Sequence, residues 1–324
     1  MNRRILIALL KLCFGVAMLV FALRHVNLDH LRASLPALRW GFIAPLCVVA
    51  LVRMLLSSVR WQLFITTPVP LWTLLRLYFV GVFFNTFLPS NVGGDVYKGV
   101  LLVRYGIASR VQGLTSSLLD RLSGIVGLLM VGLVACMLAP AIARQTGALV
   151  VIVMVTGAVC GFTALVVSPA ADVCLRLCRA HRLTQRCGVW LHDAATVMRT
   201  AVKRPRLMLQ SAGLSLLTQI CDNTLFFLMT LIAGAAINWH TSFVIFPLIV
   251  LSGLLPVSLN GIGVVELSTV ELLKLTGTPE NPAVLVALLL RAYLLAIAVI
   301  GFVCYLFEEA LHTLQPTPVR HAGC

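Results

Sequence analysis

Apolar residues in this chain come in long blocks rather than in strand-like alternation. A helix needs about 20 apolar residues to cross a hydrocarbon core of about 30 Å. Six blocks approach or exceed that length: Ile5–Leu23, Trp40–Ser58, Leu114–Leu138, Gly147–Val167, Leu209–Ala235 and Ala283–Phe307. Two more are interrupted. Leu77–Leu88 runs into Pro89-Ser90-Asn91-Val92-Gly93-Gly94-Asp95 and resumes as Val96–Val103. Phe243–Leu255 runs into Pro256-Val257-Ser258-Leu259-Asn260-Gly261-Ile262-Gly263 and resumes as Val264–Leu275. Proline removes a backbone donor and glycine frees the chain, so both helices break there. Broken backbone at membrane depth survives only where protein or water satisfies its polar groups. The pattern predicts an all-α polytopic membrane protein, a helical bundle of roughly eight membrane segments around a polar cavity. Six are full spans and two are re-entrant hairpins.

The order of segments repeats. Within one integral membrane domain, 1–324, the halves 1–145 and 146–310 each read span, span, interrupted segment, span. Pro89 follows Ile5 by 84 residues and Pro256 follows Gly147 by 109. The excess of 25 matches the difference between the connecting loops, Arg24–Arg39 and Ser168–Met208, of 16 and 41 residues. Three full spans per half invert the second half in the membrane, an arrangement typical of transporters.

Composition agrees with a membrane class. Of 324 residues, 60% are hydrophobic and 11% charged, with a mean hydropathy of +1.00, against about 25% charged in a soluble domain. That excludes a soluble enzyme. Lys and Arg total 25 against 11 acidic residues, a formal net charge of +14. With only 8% aromatics, the excess fits loops at an anionic bilayer surface, and no nucleic-acid partner is expected. The N-terminal Arg3-Arg4 and apolar run superficially resemble a signal peptide. Phe21-Ala22-Leu23-Arg24-His25 offers no cleavage site, so a retained span is expected.

The basic loop 168–208 carries Arg176, Arg179, Arg182, Arg186, Arg199, Lys203, Arg204 and Arg206 against Asp172 and Asp193. The positive-inside rule places it, both termini and the short tail 308–324 in the cytoplasm of a cell inner membrane. Eight plain spans with an outside N-terminus fit the charges too; the broken motifs favour hairpins. Within the loop, Trp190, Ala194, Val197, Met198 and Ala201 repeat at helical spacing, predicting an interfacial helix.

Ionisable residues inside spans are costly and therefore functional candidates. Lys11 and Arg76 can snorkel. Arg53 lies deep, while Arg60 reads as a membrane-edge residue. Asp120-Arg121 reads either as a structural pair or as one member turned to a cavity. Asp95 and Glu266 follow the two breaks in corresponding places, where each can cap a helix or gate a path. The breaks supply Asn85, Pro89, Asn91, Gly93 and Gly94 on one side and Pro256, Asn260, Gly261 and Gly263 on the other. Their glycines allow close approach of a ligand or tight helix packing, and a helix N-terminus favours an anion. With Lys98, Arg104, Arg121 and Arg291 nearby, a phosphate is the natural occupant.

Cys174, Cys178 and His181 could share a helical face, but their spacing matches no common zinc module, and no metal or cofactor is expected. The ten cysteines show no disulfide framework. No G-x-x-x-x-G-K-[ST] loop, G-x-S-x-G or H-E-x-x-H occurs, so neither an ATP-driven pump nor an enzyme is expected.

Phe83-Phe84-Asn85-Thr86-Phe87-Leu88-Pro89-Ser90-Asn91-Val92-Gly93-Gly94-Asp95-Val96-Tyr97-Lys98, with Arg104 following, resembles the flippase-like, lysylphosphatidylglycerol synthase transmembrane-region family. Arg60-Trp61, Asp120-Arg121-Leu122-Ser123-Gly124 and Leu255–Glu266 agree with it. Lys98 stands where the family often has Arg, and Val265 where it commonly has Arg, which removes a cationic contact there. The resemblance implies a membrane domain that moves lipids or lipid-linked intermediates between leaflets, with anionic-headgroup lipids as partners. The fused aminoacyltransferase of the synthases is expected to be absent, since the chain ends at Cys324. The alternative is a non-transporting scaffold for an enzyme of envelope-lipid synthesis.

Overall fold

The computed structural model describes residues 38–87, 93–168, 195–196, 198–200, 203–235, 237–254 and 261–314. Ile5–Leu23, Pro89, Asn91, Pro256, Asn260, the Cys174–Cys178–His181 group and most of the proposed interfacial helix lie outside them. Among the described residues every regular element is helical. After a 3-10 turn at Trp40–Phe42 come α1 (Ile43–Gln62), α2 (Leu71–Phe87), α3 (Gly93–Arg104), α4 (Arg110–Leu138) and α5 (Pro140–Thr146). Then follow α6 (Ala148–Val167), α7 (Pro205–Ile232), α8 (Trp239–Gly253), α9 (Val264–Leu275) and α10 (Glu280–Leu314).

Local chemistry sets the ends. Ser109 caps α4 by accepting from the Gln112 amide, and Pro140 and Pro205 open α5 and α7, where the missing N–H has no helical partner anyway. Three spans consequently start earlier than their apolar blocks. α4 begins at Arg110, α7 at Pro205 and α10 at Glu280, because polar first turns still belong to the helix. Five helices among the described residues are long and apolar enough to cross a membrane: Trp40–Gln62, Arg110–Leu138, Ala148–Val166, Pro205–Ile232 and Glu280–Glu309. The protein is a helical membrane protein.

The two interrupted segments fold as helix pairs. α2 and α3 have 17 and 12 residues, α8 and α9 have 15 and 12. At 1.5 Å per residue these helices run about 18–26 Å, short of a hydrocarbon core. The ends of each pair are anchored close together or to a shared face. Thr67, just before α2, donates from its hydroxyl to the Ile107 carbonyl just beyond α3, at 3.2 Å. At the end of α9 the Leu275 carbonyl accepts from Gln145 in α5, at 2.6 Å.

Aromatic and aliphatic side chains make one core from α1, α2, α3 and α10, around Trp61, Leu77, Phe83 and Leu102. A second joins α7, α8, α9 and α10 around Phe226, Ile245 and Val286. Of the proposed interfacial helix, Met198 is described and buried against Phe64 and Leu119. Arg199 donates to the Val166 and Ser168 carbonyls at the end of α6.

Candidate functional site

Asp120, one-third of the way along α4, is almost fully buried, so its charge requires partners. Arg60 donates from Nε to Asp120 Oδ1 at 2.8 Å. Lys98 Nζ lies 3.3 Å from Asp120 Oδ2 and 3.1 Å from Asp95 Oδ1. Arg121 donates to Asp95 Oδ2 at 2.6 Å. The result is one alternating row across α1, α4 and α3: Arg60, Asp120, Lys98, Asp95, Arg121. Tyr78 adds a hydroxyl donor to Asp120 Oδ2 at 3.3 Å. The Lys98 ammonium also lies over the rings of Trp61 and Tyr78, 5.0 and 4.2 Å from their centroids. Such cation–π contacts contribute about 2 kcal/mol when desolvated.

Two glycines make this geometry possible. A Cβ on Gly81 would come within 2.5 Å of Lys98 Cγ, and one on Gly94 within 1.9 Å of the Gly81 carbonyl oxygen. α2 and α3 therefore touch backbone to backbone, and Asn85 Oδ1 accepts from the Gly94 amide at 2.8 Å to cap the new helix. Small-residue contact and a polar cap occur together here. Gly94→Leu is expected to separate α2 from α3 and destabilise the protein by about 1–3 kcal/mol or more. Its melting temperature in detergent, compared with wild type, checks this.

The second break builds a smaller site. Gly263 adopts φ +83°, a left-handed conformation that turns the chain into α9. Glu266 Oε2 accepts from the Gly263 amide at 2.8 Å, while Oε1 lies 2.5 Å from the Arg291 guanidinium on α10. Glu266 thus caps the helix, as the sequence allowed, and also pairs with Arg291, which the sequence did not show. For Asp95, the visible partners are Lys98 and Arg121. Glu266→Ala frees both Gly263 and Arg291; being part-exposed, it is expected to cost about 1–3 kcal/mol, read as a shift in urea midpoint.

The two sites correspond. Asp95 is the third residue of α3 and pairs with Arg121, 26 positions on in α4; Glu266 is the third residue of α9 and pairs with Arg291, 25 positions on in α10. The packing of the helices thus brings Asn85, Gly93, Gly94, Asp95, Lys98, Asp120 and Arg121 together, and Gly261, Gly263, Glu266 and Arg291 separately. Arg104 belongs to neither: it grips Glu309 of α10 through two bonds of 3.1 and 3.3 Å.

The structure adds partners that the sequence did not show. Arg60, read at a membrane edge, has a side chain only 5% exposed, because Asp120 draws it inward across α4. Asp120 and Arg121 do not pair with each other, since neighbours on a helix point about 100° apart and find partners on different helices. Arg76, read as snorkelling, lies 3.4 Å from the buried Glu308 carboxylate.

Sequence reasoning also missed Tyr78 and Ser215, whose hydroxyl accepts from Arg60 at 3.3 Å. An aspartate deep in a span with no cation one turn away was the available signal. Among the described residues no three His, Cys, Asp or Glu side chains converge as metal ligands.

Residues 7–301 match the model of the lysylphosphatidylglycerol synthase transmembrane region. The chain belongs to that family. The match takes in both breaks, both carboxylate–arginine pairs and all five long helices except the end of α10. Membership makes this a membrane protein linked to lipid metabolism, and the family's shared part is a non-catalytic membrane domain. No curated protein matches the chain significantly.

Proposed function

We propose that this protein is a translocase that moves an anionic phospholipid or lipid-linked intermediate between leaflets without hydrolysing ATP. The observation that carries this reading is the repeated pair, Asp95–Arg121 and Glu266–Arg291, each at a helix restart beside a full span. An arginine that holds a carboxylate can exchange it for a phosphate, whose oxygens accept from the same guanidinium. Two such sites, one per half, give a headgroup two successive holding points while its tails stay in the bilayer.

In this reading α2–α3 and α8–α9 are re-entrant hairpins that enter from opposite faces, and the two halves form an inverted repeat of eight membrane segments in all. Chain continuity supports it. α2 starts and α3 ends beside Thr67 and Ile107, near the Arg104–Glu309 pair at the end of α10. α9 returns to Gln145, on the face where α1 begins and α7 ends, joined by the Arg39 amide and the Ile232 carbonyl at 3.0 Å. The first of these faces also carries Arg110, Arg199, Lys203, Arg204 and Arg206, which supports reading it as the cytoplasmic one.

The test is reconstitution into liposomes with fluorescent phosphatidylglycerol or phosphatidylcholine and a membrane-impermeant quencher. Anionic lipid should exchange at least tenfold faster than in empty vesicles and faster than the zwitterionic control. Equal rates in protein-containing and empty vesicles would overturn the reading.

A further inference from the structure

α1 and α10 run parallel. Leu38, Ile43 and Leu46 share one core with Leu285 and Leu290, while Met54 and Trp61 share another with Leu295 and Tyr305. Both helices pack on α2 and on α7. A cleft of about 540 Å³ remains between them, within the range of about 300–1,000 Å³ usual for ligand sites.

Small side chains hold the cleft open. Cys47 and Ala50 line it from α1, and Ala292 and Ala296 line it from α10. Residues three or four apart share one helix face, so each pair leaves a shallow strip along its helix. Met229 and Ile232 of α7 close off one part of the wall and Phe79 of α2 another. The walls are apolar almost throughout, and such a space stays dry. Left empty, it would forfeit the dispersion contacts of every side chain around it.

The occupant is set by place, length and width. Leu51 and Ile300 line the cleft and are also exposed, so it is continuous with the surface that faces lipid. Trp40 stands at its outer end, at the start of α1, where an exposed indole suits the bilayer interface. From Leu289 to Ile300 the cleft follows α10 for about 17 Å. Two leaflets share a hydrocarbon core of about 30 Å, so one acyl chain reaches about 15 Å. A helix about 10 Å across would displace on the order of 1,300 Å³ over that length, more than twice the space present.

Charge complements this shape. Arg291 lies on α10 between Leu289 and Ala292, at the outer end of the cleft, where its guanidinium holds Glu266. A chain inserted from the interface past Trp40 brings its own headgroup to that level.

We infer that the cleft between α1 and α10 binds one acyl chain of an anionic phospholipid, with the phosphate toward Arg291. The chain thereby selects and positions the lipid, and the part it plays in movement between leaflets rests on the translocase reading. Binding of the chain does not.

Phosphatidylglycerol with a diazirine near the end of one acyl chain, present as a minor lipid in phosphatidylcholine vesicles, tests this. After illumination, peptide mass mapping should find adducts at Cys47–Ala50 and Ala292–Ala296 at least tenfold more often than at Met137 and Met154, which are exposed on α4 and α6. Ala292→Phe fills the cleft and should lower its labelling at least fivefold. Ala50→Phe fills it from the other helix and serves where Ala292→Phe does not fold.

Cleft labelling no denser than at Met137 and Met154 overturns the inference, whether Ile5–Leu23, a second copy or nothing occupies the space instead. Dense labelling that persists in both folded variants overturns it too. Lipid exchange on the same vesicles separates the two readings. Chain labelling without exchange leaves the chain site standing and removes the translocase; exchange without chain labelling does the reverse.

Discussion

Replacing Asp120 by alanine is expected to destabilise the protein by about 3–5 kcal/mol, the largest single effect on stability in the molecule. The change leaves Arg60 and Lys98 buried at 5% and 3% side-chain exposure without their shared carboxylate. Lys98 retains Asp95, and Arg60 retains only the Ser215 hydroxyl. The loss therefore falls mostly on Arg60. Arg60→Met combined with Asp120→Leu should be far less damaging than the sum of the single changes, because it removes both charges at once. Thermal unfolding in detergent, followed by circular dichroism, distinguishes these outcomes. Additive losses would mean that the two residues act independently and that the alternating row is not an energetic unit.

Loss of lipid exchange with the fold retained is the second large effect, expected from Arg121→Gln and Arg291→Gln. Both arginines are part-exposed or near-surface in their sites, with side-chain exposures of 22% and 11%, so their removal perturbs packing less than loss of Asp120 does. Each variant should slow anionic-lipid exchange at least tenfold, and the double variant should match empty vesicles. A conservative change sharpens the test. Arg121→Lys keeps a cation beside Asp95 and leaves Lys98 its carboxylate, but loses the guanidinium fork. A purely structural pair tolerates the change; a phosphate-exchanging one slows.

The breaks were legible because proline and glycine act on the backbone locally, whatever surrounds them. α9 begins and ends at Val264 and Leu275, where the apolar pattern puts it, and Glu266 stands ready to cap it. The same local reasoning placed Asp95 at the start of α3, while the cap that Asn85 of α2 gives that helix was not foreseen. Pairing was not legible. Asp95 meets Arg121 and Glu266 meets Arg291 across 25 or 26 positions, and Arg53 meets Asp222 across 169. Those distances depend on which helix faces come together. The partner of Arg60 was hidden for the same reason: the end of an apolar run gives no sign that another helix brings a carboxylate to it. Polar α7 residues such as Ser215 and Gln219 gave no signal in a chain read mainly for apolar blocks.

The claim on which the rest depends is that the two helix pairs enter and leave by opposite faces, and cysteine accessibility measures it most directly. In a background lacking the ten native cysteines, single cysteines go in at Thr67, Ile107, Asn238 and Thr276 of protein in sealed, oriented vesicles. An impermeant maleimide should label Thr67→Cys and Ile107→Cys from one side only, and Asn238→Cys and Thr276→Cys from the other only. Labelling of Thr67→Cys and Ile107→Cys from opposite sides would show that α2–α3 crosses the bilayer and would contradict the account.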